Sequence, residues 1–273
     1  MPRTILSSWF KKDYPFKNLP ANCTIAVDLP GNFGTEPNIF IQVEPEIICN
    51  QEAYLIANHH RYQKIYTYNP KILAACKNAV KYYYGTKWLE PHLYLQNDTS
   101  RKKFQISNLA GIKKLNNAPG HILRQVIHHS QVRLQSAISA PITFFRSSRQ
   151  GEPIKDYGNN PIIGDHKDVL FAEYQYAFIV ENHRSNNYFT EKLVDCLLMH
   201  TIPIYYGAPN IAENFNTTGW IIIETGSPKE HIEKLSTLDP NHYAKHAAVI
   251  EENYHKALFY SDLYANIDNG VPV

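Results

Sequence analysis

The sequence predicts an α/β protein of two Rossmann-like halves, each an open parallel sheet flanked by helices, with a cleft between them. Three observations carry this reading. Strand-like and helix-like runs alternate along the chain, the order that builds parallel sheets. The 273 residues and the 44% apolar content suit one large domain or two modest ones with ordinary cores. A polar stretch, "LYLQNDTSRKK", separates an earlier series from a later one and reads as a hinge. It places an N-terminal half at 1–100 and a C-terminal half at 101–273, whose last helix can pack back on the first half.

In the first half, "CTIAVDL" and "IFIQVE" are rich in β-branched residues and predict strands. "NQEAYLIANHH" predicts a helix, with Asn50 in the cap position and a Glu two residues on. "KIYTYN" is a further strand. "PKILAACKNAVKYYYG" predicts a helix with Pro in its first turn and Gly at its end. The start, "MPRTILSSWFKKDYPF", holds a short apolar patch but no long apolar run and no small-residue cleavage site.

In the second half, "FQISNLAG" predicts a strand, "IKKLNNAPG" a loop, and "HILRQVIHHSQVRLQSAI" a helix. "PITFFR" is a strand, and "SSRQGEPIKDYGNNPIIGD" a long polar loop. "YAFIV" (strand), "YFTEKLVDCLLMH" (helix), "TIPIYYG" and "GWIIIE" (strands) follow. "SPKEHIEKLSTL" and "PNHYAKHAAVIEENYHKALFY" predict C-terminal helices, each behind a proline boundary.

Several function classes are disfavoured. A net charge of +2 with interspersed signs does not point to nucleic acid. No run approaches the length of a membrane helix, so the expectation is a cytoplasmic protein without stable membrane insertion. Cys23, Cys49, Cys76 and Cys196 stand far apart and read as small buried hydrophobes. Thirteen histidines form no metal-ligand spacing. No strand is followed by G-x-G-x-x-G, which argues against a nucleotide-dependent oxidoreductase. The nineteen tyrosines read as packing groups.

The candidate chemistry sits in "ENHRSNNYFTEK", Glu181 to Lys192. It runs from the carboxyl end of one strand into the start of a helix, where open parallel sheets bind ligands. Exposed N–H groups and the helix dipole favour a phosphate there. Lys192 adds charge, and Glu191 can accept hydrogen bonds from vicinal hydroxyls. Thr190 and Glu191 also fit a plain helix cap, but capping leaves Glu181, Asn182 and Tyr188 without a role. Arg184 reads as solvated.

The stretch "YAFIVENHRSNNYFTEKLVDCLLMHTIPIYYGAPNIAENFNTTGWIIIE" resembles the donor-binding core of α1,3/4-fucosyltransferases, glycosyltransferase family 10. The family pattern is an apolar strand, E-N, a short loop, Y-[IV]-T-E-K, a helix, then [VI]-P-[VI]-x-x-G. The resemblance covers roughly Tyr174 to His246 and is weak over the N-terminal half. It implies a GT-B fold and an inverting transfer of a sugar, fucose from GDP-fucose first, to a hydroxyl of a glycan acceptor. It implies no cofactor beyond the nucleotide-sugar donor and no required metal. The chain carries no D-x-D motif. A UDP-sugar such as UDP-xylose, or a non-catalytic nucleotide- or glycan-binding relative, is the alternative.

Carried over by position, the resemblance assigns Asn182, Tyr188, Glu191 and Lys192 to the donor, with Lys192 at the diphosphate and Glu191 at ribose or sugar hydroxyls. It also calls for a diphosphate arginine near the start of the preceding helix. Arg124 fits better than Arg133, which lies further along. The base is expected on the N-terminal half, just after a strand and beside a proline. Glu44, before Pro45, fits, with Glu46 the alternative.

Overall fold

The computed structural model describes residues 4–6, 16–19, 23–29, 38–111, 118–147, 160–164 and 166–269. Its first sheet holds β1 (Thr4–Leu6), β2 (Thr24–Val27), β3 (Asn38–Ile41), β4 (Lys64–Thr67) and β5 (Ala79–Lys81), hydrogen-bonded in that order and all parallel. β2, β3 and β4 are buried almost throughout. A parallel sheet covered on both faces requires that, which is why these runs are continuous rather than alternating. β1 falls in the opening segment that reads as a mere apolar patch; pairing with β2 makes it an edge strand.

The second sheet holds β6 (Lys103–Ala110), β7 (Ile142–Ser147), β8 (Ile162–Ile163), β9 (Tyr174–Val180), β10 (Ile202–Tyr206) and β11 (Ile221–Ile222). Its order is β11-β10-β9-β6-β7-β8, again all parallel. The chain leaves β6 for β7 and β8, then returns to add β9 on the other side of β6. That reversal opens a crevice at the carboxyl ends of β6 and β9.

The helices are α1 (Glu46–Cys49), α2 (Glu52–Asn58), α3 (Pro70–Ala75), α4 (Pro91–Leu95), α5 (Pro119–His129), α6 (Gln131–Ala137), α7 (Glu191–Leu198), α8 (Pro228–Leu235), α9 (His242–Lys245), α10 (Ala247–Tyr260) and α11 (Leu263–Asn269). α7 is buried on nearly every side, with Leu193, Val194, Leu197 and Leu198 at most 3% exposed. Each such side chain contributes about 1.5–3 kcal/mol, so this helix is a rigid base for whatever it presents. α11 sends Leu263 and Ile267 into the core of the first sheet, and Asp268 accepts the backbone N–H groups of Lys17 and Asn18. Among the described residues no helix is long and apolar enough to cross a membrane.

The structure overrides five local expectations. The helix expected over "PKILAACKNAVKYYYG" ends at Ala75, because Ala79–Lys81 pairs with β4. Asn78 fixes that turn, donating to the carbonyls of His59 (2.9 Å) and Tyr62 (2.6 Å). Asn50 does not cap α2; it closes α1 in the left-handed region (φ 46°). The "HILRQV…" helix breaks at Ser130 into α5 and α6, and the last long helix breaks at His246 into α9 and α10. The polar "hinge" is itself folded and docked: Lys102 is buried, its ammonium held by Phe171 O (2.5 Å), Tyr174 O (3.2 Å) and Thr201 Oγ1 (2.7 Å). Most of the loop after β7 and of that before α5 lies outside the described residues.

Candidate active site

A cavity of about 400 Å³ opens between the two sheets. Its floor is the crevice at the ends of β6 and β9. One wall carries Glu44, Tyr84 and Trp88; the other carries Arg124, Asn182 and Lys192. A volume of this size is that of an ordinary small-molecule site.

α5 reaches the crevice because Gly120 lets it. A Cβ at Gly120 would stand 1.7 Å from the carbonyl oxygen of Glu181, so only glycine fits against the end of β9. The Gly120 N–H donates to Asn182 O at 3.1 Å. One turn on, Arg124 reaches back to the strand end, donating to Val180 O through Nε (3.1 Å) and Nη2 (2.5 Å) and to Asn182 Oδ1 (2.8 Å). Asn182 Nδ2 then donates to Glu44 Oε2 at 3.4 Å. Arg124, Asn182 and Glu44 therefore form a chain that crosses the cleft.

α7 begins at Glu191, three residues into the expected run "YFTEKLVDCLLMH". Thr190 caps it, Oγ1 accepting from Lys192 N (3.4 Å). The wholly buried Glu181 carboxylate accepts from Thr190 N (2.9 Å) and from Thr190 Oγ1 (2.8 Å). Glu181 thus holds the cap residue, and of the first-turn N–H groups Lys192 N meets Thr190 Oγ1. The Lys192 side chain, which is 29% exposed, adds positive charge at this end. Its ammonium lies 3.0 Å from Glu191 Oε1, 3.0 Å from Thr190 Oγ1 and 3.8 Å from Glu181 Oε2.

These charges tune one another. Burial works against the Lys192 ammonium, but Glu191 and Glu181 outweigh it and hold its pKa above the usual lysine range. Burial likewise works to raise the Glu191 pKa, and Lys192 and Lys167 overcome it, keeping that carboxylate ionised. For Glu181, burial dominates and its pKa is raised despite Lys192.

Tyr188 touches the cavity but is only 1% exposed, its ring 5.1 Å from that of Tyr68 in the core of the first sheet. It pins the two sheets together more than it presents a polar group. Glu46 does not line the cavity. Its Oε2 accepts from Gln51 N (2.9 Å) and Glu52 N (2.8 Å), so it caps α2. Arg133 is exposed on α6, away from the cavity. Arg184 is not merely solvated: Nη1 donates to Glu224 O at 2.8 Å. Asn187, in the left-handed region (φ 64°), donates to Tyr68 O (3.1 Å), tying this loop to the first sheet.

Three groups in or behind the cavity have no counterpart in the expected site. Lys167 lines it, with its ammonium 3.3 Å above the Trp88 ring. Asp195 of α7 accepts the Trp88 N–H (3.0 Å) and Leu89 N–H (3.4 Å), fixing the connecting segment, and burial pushes its pKa up to about 7. Asp28 lies behind Glu44 and binds its backbone. An acid ending the "CTIAVD" run was a usable signal for Asp28; nothing local marked Lys167 or Asp195. Among the described residues no three or more His, Cys, Asp or Glu side chains are grouped to hold a metal ion.

Residues 142–253 match glycosyltransferase family 10 (fucosyltransferase), C-terminal. Over 55 residues the chain is 36% identical to alpha-(1,3)-fucosyltransferase FucT of Helicobacter pylori, 20% of this chain and 12% of that protein. Over 88 residues it is 34% identical to GDP-fucose protein O-fucosyltransferase 3 of Xenopus tropicalis, 30% of this chain and 18% of that one. The chain therefore spans a minor part of these relatives in sequence. A crystal structure of an alpha1,3-fucosyltransferase with GDP-fucose superposes with a TM-score of 0.50 at 17% identity, over 93% of this chain and 80% of the other. The two parallel sheets, the crevice between them and the superposition agree: the fold is GT-B, and residues 142–253 within it are similar to the C-terminal part of glycosyltransferase family 10 (fucosyltransferase).

Proposed function

We propose that this chain is an inverting glycosyltransferase that moves fucose from GDP-fucose to a hydroxyl of a glycan acceptor. The second half (101–273) holds the donor and the first half (1–100) faces the acceptor. The observation that carries this is the Glu44–Asn182–Arg124 chain, which sets a carboxylate of one sheet against a cation of the other inside one cavity. A displacement needs both: a base at the attacking hydroxyl and positive charge at the leaving group.

In this reading the acceptor oxygen attacks the anomeric carbon as the bond to the diphosphate breaks. Glu44 takes the hydroxyl proton. The electron pair leaves on the diphosphate, where Arg124 and Lys192 meet the charge in a site largely shielded from water. Glu191 keeps Lys192 in place and faces the donor's hydroxyls. Holding both substrates in one cleft supplies much of the gain.

The test is a thermal-shift series with GDP, GDP-fucose, UDP and UDP-xylose, followed by product detection on simple sugar acceptors. GDP and GDP-fucose are expected to raise the Tm with concentration, as any ligand of the folded state does, and GDP-fucose to give product. A shift with UDP alone would transfer the reading to a UDP-sugar. Binding of GDP-fucose without product from any acceptor would make the chain a non-catalytic relative.

A further inference from the structure

The segment Gln42–Glu44 leaves the first sheet just as it enters the cleft, yet buried groups from neighbouring elements hold its backbone. Gln42 N donates to Tyr66 O (2.9 Å), and Gln42 O accepts from the Tyr82 hydroxyl. Val43 O accepts from the Tyr68 hydroxyl (3.2 Å). Val43 N and Glu44 N both donate to Asp28 Oδ1, at 2.7 and 3.0 Å, and Glu44 N also reaches Oδ2 at 3.1 Å. Glu44 O accepts from Gln51 Nε2 (3.2 Å), and Gln51 is wholly buried. Pro45 then fixes the next turn.

Asp28 is the unusual member. It is a carboxylate only 8% exposed, and its own backbone sits in the left-handed region at φ 56°. Both features cost stability in a β2 end that could take glycine or asparagine. Asp28 is not among the groups lining the cavity. Its hydrogen bonds run to the backbone of the proposed base and of the residue before it.

We propose that Asp28 is the positioning residue that fixes Glu44 in the cleft, acting through the Val43–Glu44 backbone and not on substrate. The proposal rests on the transferase reading of the cavity. Catalytic groups must be held within about 0.5 Å of the productive geometry. A displacement of about 1 Å costs up to about a hundredfold in rate.

The experiment compares Asp28→Gly, Asp28→Asn and Glu44→Gln with the wild-type chain for kcat, donor KM and the GDP-induced Tm shift. Glycine accepts φ 56° without strain, so Asp28→Gly removes the carboxylate and keeps the turn foldable. It is expected to lower kcat roughly ten- to a hundredfold, with donor KM and the GDP shift within about twofold. Asp28→Asn keeps an oxygen in place of Oδ1 and is expected to restore most of the rate. A fall in kcat accompanied by an equal loss of GDP binding would mark a general structural role and overturn the proposal. So would wild-type kcat in Asp28→Gly when Glu44→Gln is inactive. Full activity in Glu44→Gln would instead refute Glu44 as base, and with it any positioning of that base. A wild-type chain without transfer would refute the transferase reading beneath both.

Discussion

Asn182 Nδ2 and Glu44 Oε2 stand 3.4 Å apart across the cleft, while Asn182 Oδ1 accepts from Arg124 at 2.8 Å. The short bond lies within one half and the long one spans the two. A bond near the outer limit of hydrogen-bond length tightens readily when the cleft closes. Asn182→Ala is therefore expected to cost roughly ten- to a hundredfold in kcat/KM, with little change in Tm because the side chain is half-buried. A variant with wild-type kcat/KM would show that Asn182 organises nothing the reaction uses.

Glu44 and Glu46 are two residues apart and do different work, so their variants must differ. Glu44→Gln is expected to lower kcat by about a hundredfold or more and to leave the GDP-induced Tm shift intact. Glu46→Gln removes a charged acceptor from the two α2 amides. It is expected to cost about 1 kcal/mol of stability and to leave kcat within about threefold. Paired kinetics and denaturant unfolding would read both; the reverse pattern would exchange their roles.

Lys192 sits between Glu191 and Glu181, which keep it charged. Lys192→Ala is expected to lower turnover about a hundredfold and to weaken the GDP shift. It also leaves two buried carboxylates facing each other, so their pKa values rise in the folded state. Stability of the variant should then fall as pH rises beyond about 5, more steeply than in the wild-type chain. Melting curves at acid and neutral pH would show it, and an unchanged pH slope would mean Lys192 does not compensate that pair.

Much of the C-terminal sheet and the motif within it was legible in the sequence, because β9, α7 and β10 each obey a local rule. β9 is a continuous apolar run, α7 follows a Thr cap, and β10 is rich in β-branched and aromatic residues. What local rules could not reach was partnership at a distance. Ala79–Lys81 is a strand only because β4 lies beside it. Lys102 reads as part of a solvated linker but is buried by three oxygens 69 to 99 residues downstream. The strand-end position of Glu181 was visible. That its carboxylate would bind the helix cap residue depended on a contact nine residues away. Lys167 and Asp195 enter the site through Trp88, which lies in a different half of the sequence.

Asp195 gives the fold a pH dependence of definite sign. Its folded pKa of about 7 lies above the ordinary 3.8, chiefly through burial, with Glu191 adding to the rise and the Trp88 and Leu89 N–H groups and Lys167 opposing it. Between about pH 4 and pH 7 the folded chain keeps a proton that the unfolded chain has released. Stability contributed by this group is thus highest below about pH 4 and falls by about 4 kcal/mol as pH rises to about 7. Asp195→Asn keeps an acceptor for the Trp88 N–H and removes the titration. It is expected to flatten the Tm-versus-pH curve in that window, and an unaltered curve would assign the slope to other groups.

Gly120 offers the sharpest test that the site depends on how closely α5 approaches β9. A methyl group there would overlap the Glu181 carbonyl oxygen at 1.7 Å and approach its carbon at 2.7 Å, both of them backbone atoms that cannot rotate aside. Gly120 is the second residue of α5, where helix propensity does not favour glycine over alanine, so any loss must come from this clash. Relief requires α5 to back away, carrying Arg124 off Val180 O and Asn182 Oδ1 and lengthening the Gly120–Asn182 bond. Gly120→Ala is expected to lower stability by more than about 3 kcal/mol and to abolish the GDP-induced Tm shift in whatever fraction still folds. Gly164, where a methyl group would meet no atom within 4 Å, is the control: Gly164→Ala should leave both measurements near wild type. If Gly120→Ala kept full GDP binding, the diphosphate would have to be held without Arg124, and the chain of contacts from α5 to Glu44 would lose its part in the reaction.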